Sequence, residues 1–290
     1  MRYQVDNAII MAAGTSSRFA PLSYEKPKAL IEVRGEILIE RQIRQLKEAG
    51  IKEIILVVGY KKEQFEYLKE KCGVILVENK EYLVRNNNSS IHAVKDYLKN
   101  SYVCSSDNYF MENPFETSVD EAYYAAVFSK GRTKEWCMEE GNDGYISSVT
   151  IGGENAWYML GHTFWTEGFS RKFLGILENI YDLPATKGLL WESIFMEHLD
   201  ELKMKIRKYA EDYIFEFDTL DELREFDTSY VENTRSHILK SISRDLGCSE
   251  KDIKDVTAVK GKNSEAVGCR FQVLAQHFEY SYETQKIRRV

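Results

Sequence analysis

Residues 7–30 read NAIIMAAGTSSRFAPLSYEKPKAL. The apolar run at 8–11 is short enough for a strand and apolar enough for a buried one. It ends in Ala12, Ala13 and Gly14, and the side chains then stay small through Thr15, Ser16 and Ser17 until Arg18. Lys28 follows Pro27 further on. Open α/β sheets bind ligands beyond the carboxyl ends of their strands. Gly14 admits backbone angles that other residues avoid, and small neighbours let backbone N–H groups approach an anion. Arg18 and Lys28 would balance the charge of a polyphosphate. The loop is not a Walker A motif, since no GKS or GKT follows, and it lacks GxGxxG. The residues alone leave open a plain surface loop with two solvated cations.

Outward from this segment, apolar runs alternate with helical spacing. A helix is predicted over 37–48, a strand at Glu53–Val58 closed by Gly59, a helix over 62–71 and a strand over 74–77. A helix over 89–98 and a strand over 102–104 follow, the latter running into SSDNYF. This order predicts a largely parallel sheet with right-handed crossovers. After Asp107 the reading changes to strands at 122–128, 145–149 and 156–164, with helices over 170–180 and 190–202. Composition shifts near Glu232, ahead of SHILKSISRDLG. The expected organisation is a main domain over 1–231 and a small C-terminal α+β extension over 232–290. The expected fold class is α/β, three layers (α/β/α) around a mixed sheet.

Bulk properties bound the function. A chain of 290 residues can bury a sizeable core. Its net charge of -7 argues against nucleic-acid binding as the main task. The cysteines, at 72, 104, 137, 248 and 269, are scattered with no CxxC pair. They read as free thiols of a reducing cytoplasm, not a disulfide framework or zinc site. No apolar run approaches the roughly 18 residues of a membrane span, and the N-terminal apolar stretch is too short for a secretory signal. A cytoplasmic protein without membrane insertion is expected; a homo-oligomer stays open.

MAAGTSSRFAPLSYEKPKAL resembles the signature of the nucleotidyltransferase superfamily, a strand followed by Ala-Ala-Gly-x-Gly-x-Arg and later Pro-Lys. Ser16 departs from it, standing where the second Gly is usual. Within the superfamily the chain is most similar to LicC-type CTP:phosphocholine cytidylyltransferases of bacteria. The similarity runs through LIERQIRQLKEAGIKEIILVVGYKKEQFEYLKEKCGV, the pair Asn86 and Asn87, SDNY at 106–109 and TKEW at 133–136. It covers roughly residues 7–228. A sister group that cytidylylates 2-aminoethylphosphonate is nearly as similar. The resemblance implies a Rossmann-like nucleotidyltransferase domain. It implies CTP as donor, a small zwitterionic phosphate or phosphonate as acceptor, and Mg²⁺ as cofactor.

It also implies roles. Two anions must meet when a phosphate attacks a nucleotide, so a metal ion is the expected neutraliser. Magnesium takes oxygen ligands and usually one or two carboxylates. The matching residues are Asp107 in SSDNY and Asp218 in FEFDTLDEL at 215–223. Either could instead cap a turn or helix. Arg18 and Lys28 would stabilise charge on the triphosphate and the transition state. Ala12 to Ser17, Asn86, Asn87 and Ser106 would line the nucleotide; Asn amides suit the mixed edge of cytosine, though RNNNSS also reads as a helix cap.

All the tryptophans lie between Trp136 and Trp191. Aromatic faces bind quaternary ammonium groups, and Glu135, Tyr158 and Glu192 lie beside the indoles. Glu135, Trp136, Tyr158, Trp191 and Glu192 are therefore the acceptor candidates, against the competing reading of core packing. His162 reads as structural. The tail from ILKSISRDLG (238–247) onward distantly resembles the start of a choline-kinase N-lobe without its catalytic loop. The rival readings are 2-aminoethylphosphonate as acceptor, a sugar 1-phosphate nucleotidyltransferase, and a nucleotide sensor without turnover.

Overall fold

Ala8, Ile9 and Ile10 are shielded completely from solvent, as in a strand covered on both faces. In the computed structural model, which describes residues 2–261 and 266–290, this run is strand β1 (Asn7–Ala12). Met1 of the expected main domain and residues 262–265 of the expected extension lie outside the described residues. β1 belongs to a sheet with β2 (Glu53–Val58), β3 (Ile75–Glu78), β4 (Ser101–Ser105), β5 (Tyr123–Glu140), β6 (Ile146–Trp165) and β7 (Lys205–Tyr209). The strand order is β7-β5-β6-β4-β1-β2-β3. β1 runs parallel to β2 and β4, and β2 to β3. β6 is antiparallel to both β4 and β5, and β7 is parallel to β5. The sheet is mixed, and its parallel part is the region where strands and helices alternate in sequence.

Two compact units make up the chain, one of Met1–Gly14 with Ile39–Glu216, the other of Thr15–Leu38 with Phe217–Val290. The expected break at 231/232 lies inside the second. In the first unit, helix α1 (Leu38–Glu48) buries Ile39, Ile43 and Leu46 on one stripe. Helix α2 (Asn88–Ala93) buries Ile91. Helix α3 (Glu167–Ile180) begins at Thr166, whose hydroxyl accepts the Phe169 N–H at 3.2 Å. Its Phe169, Phe173 and Leu177 join Ile9, Ile55 and Val103 of the sheet, and Trp191 and Phe195 of helix α4 (Trp191–Glu197), in one core.

The second unit holds helices α5 (Leu220–Phe226) and α6 (His237–Leu246). It also holds an antiparallel sheet of β8 (Lys254–Lys260), β9 (Ala266–Val273), β10 (Gln276–Ser281) and β11 (Ile287–Arg289), in that order. α6 buries Leu239 and Ile242 and stops at Gly247, which takes the left-handed φ of 64° that favours glycine at a helix end. The α+β character expected for the extension is observed.

The largest difference from expectation is the pair β5 and β6. They are 18 and 20 residues long, where three short strands were predicted. Residues 129–135 (SKGRTKE) are all polar or glycine, so no alternation of apolar and polar residues marks them as strand. Their backbone is paired across the hairpin all the same, with register shifts along it. No helix among the described residues is long and apolar enough to cross a membrane.

Candidate active site

β1 and β4 are parallel and in register from Asn7 opposite Ser101 to Met11 opposite Ser105. Ala12–Ala13 and the turn Ser106–Asp107 therefore leave the sheet side by side at its carboxyl end, where such sheets place their ligands. The Ala13 carbonyl accepts the Tyr60 N–H at 3.0 Å. A Cβ on Gly59 would lie 2.9 Å from that carbonyl and 2.8 Å from the Tyr82 ring, so only glycine lets β2 end this close to β1. Asp107 is partly exposed in a two-residue turn before the short strand Asn108–Phe110.

The loop corrects one expectation. Gly14 is not the residue with the unusual backbone: it is exposed, and a Cβ there would meet open space. Ser16 takes the left-handed conformation instead, with φ 47° and ψ 43°. The left-handed residue is thus the one that stands where the resembled signature has its second Gly. Thr15 and Ser17 flank it, partly exposed.

In the second unit the charges meet. Lys28 is only 4% exposed, and its ammonium lies 3.6 Å from Asp218 Oδ1. Arg18 is largely exposed, and its Nη1 lies 2.5 Å from Asp218 Oδ2. Two cations thus face one carboxylate. A buried ammonium needs such a partner, and a pair of cations suits phosphate. Asp218 is not the helix cap. Thr219 is: its hydroxyl accepts the Glu222 N–H at 3.2 Å, while the Glu222 carboxylate accepts the N–H groups of Thr219 at 3.0 Å and Asp218 at 2.7 Å. That reciprocal cap leaves the Asp218 carboxylate to the cations.

In the first unit, Asn86 and Asn87 bond to the segment that leads into α4. The Asn86 side chain donates to the Gly188 carbonyl at 3.2 Å, and Asn87 Oδ1 accepts the Trp191 N–H at 2.7 Å. Asn87 also donates to Glu192 Oε2 at 3.0 Å. The pair therefore positions Glu192; each amide keeps hydrogen-bonding capacity beyond these bonds. Burial pushes the Glu192 carboxyl up to about 7, against the opposing hydrogen bonds from Asn87 and the Tyr124 hydroxyl. The latter lies 3.4 Å away.

Trp191 is a correction. Its indole is 1% exposed, stacked on Tyr124 with centroids 5.7 Å apart and edge-on to Trp165 at 5.1 Å. The large apolar area is used in the core, and no face is left for an acceptor. Trp165 is likewise buried, and Trp157 packs on Phe128 at 5.3 Å. Trp136 is the partly exposed indole on β5, opposite Ile151 of β6. Glu135 beside it is exposed, and Tyr158 pairs with both Val127 and Cys137 across the hairpin. His162 is fully buried, takes a contact of 2.8 Å from the Tyr123 hydroxyl at Nε2, and is held neutral by burial, its pKa lowered to about 3. It is structural, as expected.

Sequence reasoning missed Tyr124 and Glu216. Asn108 donates to Glu216 Oε2 at 3.4 Å. Burial raises the Tyr124 phenol well above its ordinary value, and the charges of Glu192 and Glu216 push the same way. Burial also raises Tyr158, with Glu135 and Glu216 adding to it. Four carboxylates, Glu192, Glu216, Glu135 and Glu211, therefore act on Tyr124, which is buried, and Tyr158, which is partly exposed. The available signal was a second carboxylate two residues before Asp218 in FEFDTLDEL.

Among the described residues no group of three or more His, Cys, Asp or Glu side chains is placed to hold a metal ion. Asp107 of the first unit and Asp218 of the second are each oxygen donors, the ligand chemistry that Mg²⁺ takes.

Residues 8–115 match the model of the MobA-like NTP transferase domain. The chain is 36% identical over 220 residues to the choline-phosphate cytidylyltransferase of Streptococcus pneumoniae, covering 76% of this chain and 96% of that protein. It is 36% identical over 234 residues to the 2-aminoethylphosphonate cytidylyltransferase of Lancefieldella rimae, covering 79% and 95%. The solved structure of CTP:phosphocholine cytidylyltransferase from Streptococcus pneumoniae (LicC) superposes with a TM-score of 0.74 at 35% identity, over 78% of this chain and 99% of that one.

Proposed function

This chain belongs to the nucleotidyltransferase family of those cytidylyltransferases, and from that premise we propose that it joins CTP to phosphocholine, releasing pyrophosphate and forming CDP-choline. The observation that carries the acceptor class is Glu192, within 3.4 Å of the Tyr124 hydroxyl and held by Asn87 at 3.0 Å, with the negative field of Glu216, Glu135 and Glu211 acting on Tyr124 or Tyr158 beside it. A sugar phosphate has no positive charge to answer that field. A choline head group does, and Trp136 on the same hairpin offers the partly exposed aromatic face for it.

In the proposed reaction an oxygen of the acceptor phosphate attacks the α-phosphorus of CTP in line. The new P–O bond forms as the bond to the β-phosphate oxygen breaks, and pyrophosphate leaves. The acceptor oxygen is already ionised, so no protein nucleophile is required. Lys28 and Arg18 take up the charge that develops on the triphosphate, the kind of contact that most lowers such barriers. On binding the nucleotide, the two cations exchange part of their pairing with Asp218 for phosphate oxygens. Asp107 and Asp218 would hold Mg²⁺, which when bound supplies charge neutralisation between the reacting phosphates. Residues 12–17, Ser106, Asn86 and Asn87 form the nucleotide side in this reading. All cysteines are free, and we place the enzyme in the reducing cytoplasm.

A second reading has its own support. The two relatives are equally identical to this chain, and the carboxylates suit the primary ammonium of 2-aminoethylphosphonate, which needs hydrogen-bond acceptors more than faces. The test is pyrophosphate release from each of four nucleoside triphosphates against phosphocholine, 2-aminoethylphosphonate, phosphoethanolamine and sugar 1-phosphates. Turnover with CTP and a cationic acceptor is expected. Turnover confined to UTP and a sugar 1-phosphate would refute the assignment.

A further inference from the structure

Glu25 lies between Arg18 and Lys28, yet its carboxylate is turned to the C-terminal extension. Oε1 accepts the Ser236 hydroxyl at 2.6 Å and the Ile238 N–H at 2.8 Å, and Oε2 accepts the His237 N–H at 3.0 Å. Ser236 in turn accepts the Leu239 N–H at 3.0 Å. A carboxylate on the first turn of α6 satisfies N–H groups that the helix itself cannot, and it meets the positive end of the helix dipole. The loop is thus bonded to the extension three residues before Lys28.

Two further ties reach the same charges. Tyr24 stacks on Tyr282 with ring centroids 4.0 Å apart, and β8 packs on the turn Ser17–Phe19 that carries Arg18. Arg224 of α5, the helix that follows Asp218, is buried and donates to the carbonyls of Glu250 and Ile253, each at 2.7 Å. The small side chains at 15–17 give the loop little packing of its own, and its left-handed Ser16 is a strained conformation for a residue with a side chain. It needs holding from outside.

We propose that residues 233–290 are a positioning element for the Arg18–Asp218–Lys28 cluster, with Glu25 as the positioning residue that couples them. The inference rests on the proposed function for the role of that cluster toward CTP.

The test uses the full chain with Glu25→Ala and Glu25→Gln. Amide hydrogen exchange over 15–28 is measured without nucleotide, followed by the Kd for CTP and the KM of each substrate. In Glu25→Ala, exchange over 15–28 should accelerate about 10-fold or more. The Kd and KM for CTP should rise about 10-fold, the size of a lost helix-cap contact, while the KM of the acceptor stays within about 2-fold. Glu25→Gln keeps an accepting oxygen without the charge, should fold where alanine does not, and should recover part of the loss. Faster exchange at 236–239 with none at 15–28 would overturn the proposal and leave Glu25 a cap for α6 alone. Faster exchange at 15–28 in a protein whose wild type binds no CTP would support the coupling and sink the nucleotide role.

Discussion

Lys28 carries its charge where lysines seldom sit, 4% exposed and 3.6 Å from Asp218. If it contacts the triphosphate in the transition state, Lys28→Ala should lower kcat/KM by about 100-fold or more. Arg18 still pairs with Asp218, so the carboxylate is not orphaned and the variant should fold. Near-wild-type kcat/KM in a pyrophosphate-release assay would sink the role. Glu192 gives a second prediction. Its carboxyl is raised by burial to about 7 in the folded protein, from an ordinary 4.5. The native state then holds a proton that the unfolded chain has released, so this group's contribution is present below about pH 4.5 and is lost as pH rises to about 7. The ligand-free protein should lose stability over that window, and Glu192→Gln should remove that part of the slope. Identical pH dependence of the urea midpoint in both proteins would refute the shift. At this scale the resemblance pointed to Arg18 and Lys28 in one motif and to Asp218 in a later one, and the ion pairs Arg18–Asp218 and Lys28–Asp218 bring them together. Glu216 and Tyr124 were not legible, because their effect on each other comes from strands far apart in sequence.

The hairpin of β5 and β6 shows what an element conceals. Its outer part is polar on both sides, and the periodicity that reveals a half-buried strand is absent there; only the pairing partner makes it a strand. The tryptophans divide along the same line. A cluster in sequence became two environments in space, since an indole at the start of α4 falls into the aromatic core while one on β5 stays partly exposed. Trp191→Ala should therefore cost about 3–5 kcal/mol of stability, as large core truncations do. Trp136→Ala should leave the melting temperature and the KM for CTP nearly unchanged and raise the KM for phosphocholine roughly 30-fold, the equivalent of a desolvated cation–π contact of about 2 kcal/mol. Thermal melts and acceptor titrations on both variants decide it. A Trp136→Ala protein with an unchanged acceptor KM would move the cage elsewhere, and a stable Trp191→Ala protein would contradict the core assignment.

For the whole molecule, the alternation of strands and helices announced the mixed α/β sheet, because burial on both faces leaves near-continuous apolar runs such as 8–11. The division into units was less legible. Segment 15–38 groups with the C-terminal residues through contacts such as Glu25 with Ser236 and Tyr24 with Tyr282, and no local pattern announces a partner some two hundred residues away. The central claim, cytidylyl transfer to a cationic phosphate, is tested most directly in one vessel. Wild-type enzyme, CTP and Mg²⁺ are mixed with equal phosphocholine, 2-aminoethylphosphonate and glucose 1-phosphate, and the products are followed by ³¹P NMR. The account predicts pyrophosphate with CDP-choline as the main nucleotide product and no sugar nucleotide. A main product carrying 2-aminoethylphosphonate would replace the acceptor, and a sugar nucleotide, or no cytidylylated product at all, would contradict the account.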